Sequence, residues 1–157
     1  MTANTMSLIG RIFIIIFAVI LASMAAGIAI AFGILGTQWH SLSGDPVERV
    51  FFWGTAFIGA TGAGAVSFLP MVILIALAET FNIRSLALNM LGGAAMLILG
   101  YYGAGFAPPS YEESIDRPPP IVSHDLEIAA AAGAVFGLVY WLIAGRNAGR
   151  WREPLRR

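Results

Sequence analysis

Two imidazoles and a handful of carboxylates are the groups in this chain with the right chemistry for a metal ion. His40 follows the first long apolar run and His124 opens the last. Asp45, Glu48, Asp125 and Glu127 lie close to them in sequence. Imidazole with carboxylate suits zinc or copper. The spacing argues the other way, because no HxxxH, HExxH or ExxH pair is present. His40 and His124 therefore read as solvated loop residues, and neither a metal nor another cofactor is expected.

Glu79 is the next candidate. It stands at the inner edge of the second apolar run, close to Arg84. A carboxylate deep inside a span would mark a proton or ion path. At the edge, Glu79 reads instead as an interfacial ion pair with Arg84. The polar side chains further inside are Ser23, Thr55, Thr61, Ser67 and Asn89, and none titrates near neutrality. No serine sits in a GxSxG turn, and the chain has no cysteine. The glycines from Gly59 to Gly64 lack the lysine of a phosphate-binding loop.

The elements that must carry these residues are four apolar runs, at 12–35, 51–78, 86–102 and 121–144. A hydrocarbon core of roughly 30 Å needs about 20 apolar residues in helical form. Three runs meet that length and the third is near the lower limit. Of the 157 residues, 58% are hydrophobic and 11% charged, where soluble domains carry about 25% charged residues. The expected fold is an all-α membrane protein, a four-helix antiparallel transmembrane bundle forming a single domain. Arg11 before the first run imitates a signal peptide. The run is too long for the roughly 7–15 residues of a signal core, so it reads as a retained span.

Arginine placement predicts the orientation. Seven of the nine lie at the chain's two ends or between runs two and three, against Arg49 and Arg117 in the other two loops. The positive-inside rule then puts both termini in the cytoplasm. Trp39, Trp53, Tyr101 and Tyr102 mark the outer boundary, and Tyr140, Trp141 and Trp151 the inner one.

Leucine cannot glue helices in lipid, so small residues must do it by close packing. Ala56, Ala60 and Gly64 recur four apart in the second run, beside Gly59 and Gly62; Ala129, Gly133 and Gly137 do so in the fourth. Four-residue spacing puts each set on one helical face. Packing within the chain is the plain expectation. Gly133 and Gly137 are the candidates for a face left over for a homo-oligomer or a larger membrane complex. Pro70 should bend the second helix as a hinge or static kink, with Ser67 bonding a freed carbonyl.

The connection from Glu79 to Ser85 is short, which forces antiparallel neighbours; Asn82 or Ser85 can cap the helix that follows. The loop at 107–120 is proline-rich and extended, and can serve as a docking site. The basic tail, 145–157, holds five arginines and Trp151. It suits anionic lipid at the inner leaflet, and nucleic acid is not expected as a partner.

The segments Leu77-Ala78-Glu79-Thr80-Phe81-Asn82-Ile83-Arg84-Ser85 and Tyr140-Trp141-Leu142-Ile143-Ala144-Gly145-Arg146-Asn147-Ala148-Gly149-Arg150-Trp151 resemble small uncharacterised four-span bacterial inner-membrane proteins. The resemblance implies the same topology and membrane, and no activity. The expected function is that of a non-enzymatic integral membrane protein, an accessory or scaffold subunit acting through helix packing in the lipid bilayer. A small oligomeric transporter or channel moving about Pro70 is the first alternative. A lipid-modifying membrane enzyme using His40 or His124 is the second.

Overall fold

The computed structural model describes residues 2–36, 45–105 and 123–149, with side chains from residue 8 onward. Five α-helices occupy them: α1 (Thr2–Leu35), α2 (Pro46–Val66), α3 (Phe68–Thr80), α4 (Leu86–Gly103) and α5 (His124–Ile143), followed by a 3₁₀ turn at Gly145–Asn147. Three helices, or four segments if the bent pair α2–α3 is one span, are long and apolar enough to cross a membrane. The His40 position, the proline-rich loop and the tail beyond Gly149 lie outside the described residues.

Local chemistry sets the ends. Asp45 caps α2 by accepting from the Val47 N–H at 2.9 Å, with Pro46 at the first helical position, where its missing donor costs nothing. Ser123 caps α5 in the same way, and Asp125 and Glu127 favour its positive end. Ser85 takes the N-cap position of α4 without a side-chain bond. Asn82 caps nothing there. It ends α3 instead, in a left-handed conformation (φ 55°) that lets the Ile83 N–H reach the Ala78 carbonyl at 2.9 Å.

The expected second span is broken. α2 stops at Val66, α3 starts at Phe68, and their axes differ by 70°. The break falls at Ser67 rather than at Pro70, and the hydrogen-bond ladder explains why. Pro70 has no N–H for the Val66 carbonyl four residues back, and its ring crowds that carbonyl. The bonds on either side survive: Ser67 N–H to Ala63 at 3.0 Å, and Met71 N–H to Ser67 at 2.9 Å.

Neighbouring helices run antiparallel. On α1, Arg11, Ile15, Ala18, Ala22 and Ala26 follow helical spacing, and the three alanines are sealed in the core. Phe32 meets Phe52 edge-on at 5.1 Å near the start of α2. Gly27 receives Ala56 and Ala60, and Gly33 receives Ile128 of α5. The tightest seam joins α4 and α5. A Cβ on Gly93 would overlap the Gly133 carbonyl, one on Gly133 would overlap Gly93, and one on Gly137 would overlap the Asn89 carbonyl. Gly133 and Gly137 are thus spent inside the chain and offer no face to a second copy. Gly59 packs on Ile30, whereas Gly64 has nothing within 4 Å.

Gly93→Ala and Gly133→Ala should each lower stability by on the order of 1–3 kcal/mol, the usual cost of forcing extra atoms into a packed seam. Gly103→Ala, where nothing lies within 4 Å, is the control and should be neutral. Denaturation of purified protein in mixed micelles measures all three.

Candidate functional site

Arg11 lies inside α1 and is 8% exposed, although the sequence places no charge within a span. The helix reaches back past it to Thr2, so the guanidinium must find partners within the fold. Its Nε donates to Glu79 Oε1 at 3.0 Å, and its Nη2 donates to the same oxygen. Nη2 also donates to the Ala144 carbonyl at 2.8 Å, at the C-terminal end of α5. Glu79 completes its own set through Oε2, which accepts from the Gly149 N–H at 3.0 Å. One ion pair therefore joins the start of α1, the end of α3, the end of α5 and the turn after it.

Glu79 and Arg84 were expected to be partners, and the structure gives Glu79 to Arg11 instead. The geometry of the turn accounts for this. The left-handed Asn82 closes α3 and sends Arg84 toward the segment after α5, where its Nε donates to the Ala148 carbonyl at 2.9 Å. The Arg84 carbonyl in turn accepts from Trp141 Nε1 at 2.7 Å. Gly149 is held between Glu79 and Asn82. It has φ 74°, and a Cβ there would overlap the Asn82 amide oxygen. The Tyr140 hydroxyl is buried, with no hydrogen-bond partner among the described residues.

A second place of interest lies around the helix break. Ser67 is 2% exposed and its Oγ has no hydrogen-bond partner. It bonds no freed carbonyl, contrary to expectation, because it is pressed against α4 at Gly100, where a Cβ would overlap that hydroxyl. Beside it is a cavity of about 430 Å³ bounded by α1, α2, α4 and α5. Thr55 and Thr61 are exposed but return their hydroxyls to the Phe51 and Phe57 carbonyls at 2.9 Å, which satisfies them in an apolar medium.

His124 is exposed at the start of α5, with Nδ1 3.8 Å from Glu127. Among the described residues no group of three metal-ligating side chains converges. Sequence reasoning missed Arg11 as a site residue. Its signal was available: Arg11, Ile15, Ala18 and Ala22 share a helical face.

Removing one half of a buried ion pair strands the other charge. Glu79→Met and Arg11→Met should each cost about 3–5 kcal/mol, while the two together should recover most of that loss. The four-way comparison in denaturant titrations checks the coupling. A loss in the double variant as large as the sum of the singles would remove the ion pair from this role.

No known protein family, characterised protein or solved structure matches the chain.

Proposed function

We propose that this chain is a non-enzymatic bacterial inner-membrane protein that crosses the bilayer four times and acts through helix packing, as an accessory or scaffold subunit. The topology rests on α1 serving as a ruler. From Arg11 to Phe32, α1 rises about 32 Å at helical pitch, close to the hydrocarbon thickness. The bent pair begins against Phe32 through Phe52 and ends against Arg11 through Glu79. That supports one kinked crossing rather than a re-entrant loop. Both termini then lie on one side, and arginine placement favours the cytoplasm.

The observation that carries the packing role is the outward face of α2. Gly54, Thr61 and Ala65 share one side, flanked by Phe57 and Ile58, each 71% exposed. Among the described residues, nothing lies within 4 Å of where a Cβ on Gly54 would stand. Small residues between large ones let a neighbouring helix approach closely. The buried charged pair Arg11–Glu79 is engaged in tying the helices together, which fits a structural role. Anionic lipid at the arginine-rich tail is part of the same reading.

The broken helix favours a second reading, a small oligomeric transporter or channel. Discontinuous helices near the bilayer midplane commonly line transport sites. Substrate-dependent flux in liposomes separates this reading from the first.

Two outcomes are expected. Tags before Thr2 and after Gly149 should be reached from the same side of sealed vesicles, with labels in 37–44 and 106–122 reached from the other. Gly54→Leu with Ala65→Leu should reduce the associated fraction severalfold in native mass analysis after gentle extraction, without lowering thermal stability. An unchanged fraction would take the α2 face out of the proposal.

A further inference from the structure

We propose that the cavity beside the helix break binds an alkyl chain carrying an ammonium head group. The proposal goes beyond the packing reading and stands or falls without it, since a chain that recruits no partner can still hold this ligand.

The cavity is made by what α2 lacks. Gly59 and Gly62 remove side chains from its inner wall, and a Cβ on Gly62 would meet open space. Gly100 thins the α4 wall. The 70° break between α2 and α3 lies at the cavity's Ser67 edge. The result is a space of about 430 Å³, within the range of small-molecule sites. Its walls are formed by Ile30, Ile34, Ile58, Leu97 and Ile128. Along α2, from Ile58 to Val66, it extends about 12 Å at helical pitch. That shape and lining fit a single unbranched chain.

The polar end is specific in sign. Asp125, in the first turn of α5, and Tyr101, near the end of α4, line the same cavity. Both stand at the end of the bundle opposite the Arg11–Glu79 pair. A carboxylate beside an aromatic ring is the pairing that recognises an ammonium ion, by charge and by attraction to the ring face. An anionic head would be repelled there, and an uncharged hydroxyl could give Asp125 a hydrogen bond but no charge attraction. Glu127 and His124, on other sides of α5 from Asp125, are exposed and lie 3.8 Å apart.

The test uses the full chain in nanodiscs and labelled decyltrimethylammonium below its micelle concentration, with empty nanodiscs subtracted. Saturable uptake is expected, with decanol and decyl sulfate held at least about tenfold more weakly, a difference of about 1.4 kcal/mol. Asp125→Asn should weaken the ammonium probe about fivefold or more, and Asp125→Lys should favour decyl sulfate instead. Gly62→Leu should fill the space and abolish uptake of all three, with an unchanged thermal midpoint showing that the protein is folded. Nanodiscs of phosphatidylethanolamine with phosphatidylglycerol against phosphatidylglycerol alone, which has no ammonium group, separate the natural sources. Competition by the amine lipid assigns the head group to the bilayer, and its absence assigns it to a free amphiphile. Equal uptake of the three probes, or uptake insensitive to both Asp125→Asn and Gly62→Leu, would overturn the proposal.

Discussion

The rest of the structure depends on a charge that cannot be left alone. Arg11 sits within an apolar helix, and its side chain is 9% exposed. In hydrocarbon an isolated guanidinium is costly enough to select the arrangement around it. The solution draws Glu79 from α3, the Ala144 carbonyl from α5 and, through Glu79, the Gly149 amide. That carbonyl also accepts from the Asn147 N–H at 3.1 Å in the turn after α5. The pair therefore ties the end of α5 to the two charges. It also sets register. Sliding α3 by one residue along α1 would turn Glu79 about 100° away and strand both groups.

With one end tied, the two halves of the bundle are packed differently. On the α4–α5 side the backbones touch through Gly93, Gly133 and Gly137, and van der Waals contact is close along the seam. On the α2–α3 side, the break at Ser67 lets the helices diverge from α4. There even a Cβ added to Gly92 would meet Leu74 only at 3.9 Å. Ser67 and Gly100 form one close point between them. A buried hydroxyl without a partner costs about 1–3 kcal/mol, so this contact is held by its surroundings rather than by its own chemistry. The free volume of the protein consequently collects beside it.

Much of this architecture is legible in residue patterns. The apolar runs at 86–102 and 121–144 match α4 (Leu86–Gly103) and α5 (His124–Ile143) within a few residues, because length and hydropathy are local properties. Pro70 announces a bend for an equally local reason, although the break appears one turn earlier, where the lost bond leaves the chain free. Partners are another matter. Glu79 has Arg84 five residues away, and a sequence offers that pairing first. The actual partner is 68 residues distant, and only the closure of α3 by Asn82 decides between the two. The glycines teach the same lesson. Gly64 and Gly133 both belong to four-residue repeats, yet one faces open space and the other a backbone. A repeat specifies that a face exists; the tertiary arrangement specifies what covers it.

The cavity follows from these two constraints acting together. Filling it would require α2 to straighten toward α4, but Pro70 denies α2 the bond that would make it one helix with α3. Moving α3 instead would pull Glu79 from Arg11. The void is therefore kept by its glycine-lined α2 wall together with the break that leaves α2 and α3 as separate helices. In water such an apolar hollow would cost stability through lost contacts. Open to hydrocarbon, it can be filled by a chain from outside, and the cost falls away. A helical protein surrounded by hydrocarbon can thus keep an apolar hollow that the same packing in water would have to close, and a charge at the rim of such a hollow is then what distinguishes one chain-bearing molecule from another.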